Sequence, residues 1–134
     1  MKHQKFTLMV ALFALLAGSA LAQAQQTFAA DINFKFMAGT RAMAPAKYNI
    51  ARDSNGAITI RDVTGKASDA AWKSGSVLVV ITSLGRHDTG QMPELVFDLL
   101  PDGPHLSEVW FPGSDGSLVL ATKEPHKHQV LQVK

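Results

Sequence analysis

His126-Lys127-His128 is the segment of this chain best suited to chemistry. On an extended backbone, residues two apart share a face, roughly 6.5–7 Å apart at Cα. Two imidazoles so placed can share one ion such as Cu or Zn. A third donor is needed, and His105, His87 and Glu124 are the candidates. His105 is preferred, because the turn from Pro101 to Pro104 and the loop after Ala121 are expected at one end of a sheet. Neutral imidazole is the ligating form, so such binding weakens as pH falls below about 6.5. The competing reading is a solvated, lysine-flanked terminus. A cupin would need a Glu and a further His downstream, and only Gln129 to Lys134 follow.

Other chemical signals are weaker. Asp88-Thr89-Gly90 matches the aspartic-protease triplet, but Arg86 and His87 precede it instead of an apolar strand. A polar turn is the better description. There is no G-x-S-x-G elbow, no glycine-rich phosphate loop and no H-E-x-x-H. Glu108, beside Trp110, is either a buried acid or the solvent-facing member of a strand. Tyr48, Trp72 and Trp110 are candidates for lining an apolar ligand pocket, although at strand spacing they also suit a core. The expectation is therefore a non-enzymatic chain.

The elements that position these residues follow from patterning. Lys2 and Lys5 precede an apolar run from Leu8 to Leu16, and Ala20-Leu21-Ala22 offers a small-x-small cleavage site. This is a Sec-type signal, too short for a permanent span. Cleavage is expected after Ala22, with Ala24 the alternative, so residues 1–22 form the signal. Residues 23–27 form a flexible lead and 28–134 one domain, in the periplasm or outside the cell. Cleavage takes two of the 13 basic residues and leaves as many as the 11 acidic ones. No basic footprint for nucleic acid remains. Cysteine is absent, which removes disulfides, thiolate metal sites and thiol nucleophiles.

From Phe28 onward the apolar residues alternate. Ile32, Phe34 and Phe36 are followed by Tyr48 and Ile50, then Ile58 and Ile60, then Leu95, Phe97 and Leu99. Turn signals recur between them: Asp53-Ser54-Asn55-Gly56, Pro101-Asp102-Gly103-Pro104 and Gly113-Ser114-Asp115-Gly116. Val77 to Ile81 suggests a central strand buried on both faces, and Ala67 to Trp72 a short helix. Strands are also expected over Leu106 to Phe111, Leu118 to Ala121 and Val130 to Val133. The fold class is all-β: an antiparallel β-sandwich or small β-barrel of roughly seven to nine short strands. Its expected core includes Phe34, Phe36, Tyr48, Ile58, Ile60, Val79, Ile81, Leu95, Phe97, Trp110 and Leu118.

Two segments carry a resemblance. Phe34-Lys35-Phe36-Met37-Ala38-Gly39, then Met43 to Ile50, resembles a pattern F-x-F-x-x-G…L-P-A-G-x-Y-x-I. Leu106 to Gly113 and the His-x-His tail resemble the C-terminal half of the same pattern. The chain thus resembles a family of small secreted bacterial all-β proteins, which implies a fold and export but no activity. It departs from the pattern at Ala46, where Gly is usual, and at Pro45, one place late. Two functions are expected from all this. One is an exported binding module for a small ligand or an envelope-protein partner. The other is a metal- or haem-associated accessory working through His126 and His128.

The signal is testable by mass spectrometry of the exported protein. A mature chain beginning at Gln23 or Gln25 is the expected product; full-length chain recovered from the periplasm would contradict it.

Overall fold

The computed structural model describes residues 26–64, 76–85 and 92–134. The signal segment, Trp72, His87 and the Asp88-Thr89-Gly90 triplet lie outside the described residues, as does the expected short helix.

Among the described residues eleven strands form two sheets, with no helix and no closed barrel. The first sheet contains β1 (Gln26–Ile32), β4 (Ala46–Arg52), β5 (Ile58–Asp62) and β6 (Ser76–Leu78), in the order β1-β4-β5-β6. The second contains β7 (Thr82–Leu84), β8 (Glu94–Leu100), β9 (Gly103–Trp110), β10 (Gly116–Leu118) and β11 (Lys127–Gln132), in the order β11-β8-β9-β10-β7. The short hairpin of β2 (Phe36–Ala38) and β3 (Arg41–Met43) joins the second sheet through a parallel contact between β2 and β9.

The count exceeds the seven to nine expected because two expected strands are divided where the chain changes sheet. The alternating run from Ile32 to Phe36 ends β1 in one sheet and opens β2 in the other. The Val77 to Ile81 run is likewise no central strand. Its start belongs to β6, at the edge of the first sheet, and the chain then crosses to β7, at the edge of the second. Leu78 is buried, but Val79 and Ile81 are 81% and 57% exposed and do not belong to the core. An apolar run without alternation marks burial only where other layers cover both faces of the strand. Here Val79 and Ile81 lie in the crossing between the two sheets, outside either strand.

Both sheets contribute to one core. Ile32, Tyr48, Ile50, Ile58 and Ile60 come from the first; Phe36, Leu95, Phe97, Leu106 and Val109 come from the second. Phe36 joins the layers, its ring edge-on to Tyr48 at 5.7 Å and to Phe97 at 5.4 Å. Phe34 and Leu118 are only partly buried. Ala46 is a buried residue of β4 with no left-handed backbone, so the departure from the resembled pattern is absorbed in a strand. The Asp53 turn forms as expected: its Oδ1 accepts the amides of Asn55 and Ala57, and Gly56 takes φ 85°.

Trp110 is buried, yet it takes the opposite face of β9 from Val109 and stands outside the inter-sheet core. Its Nε1 donates to Glu108 at 2.8 Å, and its ring lies where a side chain on Gly116 would sit, 2.6 Å from an ideal Cβ. Only glycine fits beneath it.

Tyr48 is the one tyrosine of the chain and donates its hydroxyl to the Ala44 carbonyl at 2.5 Å. Burial, aided by the negative charge of Asp62, pushes its pKa up to about 12. The unfolded chain releases that proton near pH 10. The folded state therefore loses stability as pH rises from 10 toward 12, and nothing from this group below 10. Tyrosinate absorbance should titrate near 12 in the folded protein and near 10 in urea. A folded-state titration near 10 would contradict this packing.

Candidate metal centre

The site is built on β8, which runs between β9 and β11 and is antiparallel to both. Leu95 and Phe97 face the core, so Glu94, Val96 and Asp98 take the other face. Asp98 is nevertheless 2% exposed. Across the ladder, His128 on β11 is its direct partner on one side and His105 on β9 on the other.

A β-bulge sets what covers Asp98. Val96 pairs with Glu108, but Phe97 pairs with Leu106, leaving Ser107 as the extra residue. This keeps both Leu106 and Val109 in the core although they are three positions apart. The Ser107 carbonyl accepts the amides of Val119 at 2.8 Å and Leu120 at 3.3 Å, which ties down the chain leaving β10. From that anchor, residues 119–126 pass over the end of β8. The Thr122 hydroxyl donates to Asp98 Oδ2 at 2.7 Å.

His126 and His128 then meet Asp98 Oδ1. His128 Nδ1 is 2.8 Å from it and His126 Nε2 is 3.4 Å from it. The two imidazoles stand edge to face, with centroids 4.6 Å apart. One donor atom from each of the three residues lies within 4.8 Å of the others. Two ligands on a tetrahedral ion, each about 2.1 Å from it, are roughly 3.4 Å apart, which the His126–Asp98 pair matches. The 2.8 Å His128–Asp98 contact is a hydrogen bond donated by Nδ1, which an ion would have to replace.

The proton positions sharpen this. His126 Nδ1 is 2.7 Å from the Glu124 carbonyl. A carbonyl only accepts, so Nδ1 carries the hydrogen, and a neutral ring then has a lone pair at Nε2. That atom is shielded from solvent and has no hydrogen-bond partner. It faces a carboxylate oxygen, which is also an acceptor. Either a second proton on the ring, which would make an ion pair with Asp98, or a metal cation between the two atoms would resolve the conflict. Metal-bound histidines commonly hold their other N–H against a backbone carbonyl in this way.

The structure thus brings His126 and His128 together and supplies Asp98 as the third donor. His105 does not join them; its Nε2 lies 2.8 Å from Asp102, whose carboxyl is held below the usual range by that bond. Glu124 enters through its carbonyl only. Tyr48 is sealed in the core and Trp110 is on the far face of β9, so the two do not share a pocket. Asp98 went unrecognised because alternation alone makes it the solvent-facing member of Glu94 to Leu100. The available signal was an acid inside an otherwise apolar run. The chain matches no family model, no curated protein and no solved structure. No helix among the described residues is long and apolar enough to cross a membrane.

Proposed function

We propose that this chain is an exported, non-catalytic binding module whose ligand is a divalent transition metal held by Asp98, His126 and His128. The observation that carries the reading is the buried Nε2 of His126, which has no hydrogen-bond partner and faces Asp98 Oδ1 at 3.4 Å. Two nitrogens and one oxygen, with no thiolate, favour Zn²⁺ or Cu²⁺ over Cu⁺. A bare ion suits the geometry better than haem. Axial haem ligands stand on opposite faces of the macrocycle, whereas these rings converge from 4.6 Å apart. The small-ligand reading through a pocket of Tyr48, Trp72 and Trp110 has less support, since Tyr48 is fully buried.

Calorimetric titration of the mature chain with Zn²⁺ and Cu²⁺ tests the proposal. Saturable binding is expected at neutral pH, weakening as pH falls because protons compete for the imidazoles. A His126→Ala/His128→Ala variant, with its fold checked by circular dichroism, should lose it. Equal uptake by parent and variant would overturn the reading.

A further inference from the structure

Asp98 offers the cluster one oxygen only. Its Oδ2 already accepts the Thr122 hydroxyl, so Oδ1 alone faces the histidines. Among the described residues no fourth His or carboxylate joins the group. From the described residues alone, a four-coordinate ion would be one protein donor short. The shortfall has a direction. The side chains of Asp98 and His126 are 3% and 14% exposed, whereas that of His128 is 52% exposed. The floor is closed and the His128 side is open. Structural zinc sites are closed by four protein ligands, while sites that act on an outside molecule keep a position free. Charge selects the occupant. A divalent ion with one carboxylate and two neutral imidazoles is a net monocation, which attracts an anion.

We infer that the loaded centre takes a small anionic donor from solvent, hydroxide or a carboxylate, at an open position on the His128 side. The inference rests on the metal reading above. With no competing anion the position holds water, whose proton is lost far more readily on the metal than in bulk. An incoming anion displaces that water, with no other bond made or broken.

The experiment uses the mature chain loaded with Co²⁺, whose visible bands report its ligands. Azide and acetate are the probes. Each should shift the bands saturably, and each should reverse the shift of the other. A His105→Ala variant should show the same anion-free spectrum as the parent. Bands unmoved by either anion in a protein that has bound cobalt would overturn the open position. So would an anion-free spectrum altered by His105→Ala, which would make His105 the missing donor. Failure to bind cobalt at all would instead overturn the metal reading and this inference with it.

Discussion

A carboxylate buried on the outer face of a sheet is the constraint around which this end of the molecule is arranged. Asp98 is 2% exposed, and an ionised group so placed costs several kcal/mol unless it is well partnered. Its partners come from outside its own strand. Thr122 belongs to the crossing segment and His128 to the last strand, while His126, at the end of that segment, faces the same carboxylate oxygen as His128 without a hydrogen bond to it. The C-terminal strand β11 is an edge, and its residues are mostly exposed. Apolar burial holds it only partly, through Leu131, so polar contact with Asp98 matters more there than elsewhere.

The Ser107 bulge is what makes this contact possible. One extra residue keeps the core face of β9 continuous and turns the Ser107 carbonyl toward the chain leaving β10. That anchor adds to the packing of Val119 against the core and fixes the backbone from which Thr122 reaches Asp98. A backbone irregularity in one strand thus delivers side chains from two other elements to a third.

Much of the fold was legible in the sequence, and the reasons are physical. Period-two alternation placed Tyr48, Ile58, Ile60, Leu95 and Phe97 in the core, because one face of each strand meets the other sheet. Asn55-Gly56 announced its turn through the φ that only glycine takes easily. Val79 and Ile81 misled because an unbroken apolar run does not say where the chain changes sheet. Trp110 misled because burial on a sheet's outer face gives the same pattern as burial in its core. The His-x-His pair was visible as a donor set, since it is local. Asp98 is 30 positions from His128, and its role depends on β11 pairing with β8, which alternation does not specify.

The tautomer of His126 tests the account most directly. ¹⁵N-detected NMR of the imidazoles, recorded on the metal-free chain at alkaline pH, distinguishes a protonated ring nitrogen from a bare one. The hydrogen is predicted on Nδ1, held by the Glu124 carbonyl, with Nε2 bare; adding Zn²⁺ should shift Nε2 and leave Nδ1 protonated. A hydrogen found on Nε2, or an Nε2 resonance indifferent to Zn²⁺, would contradict the central claim that this atom is a metal donor facing Asp98.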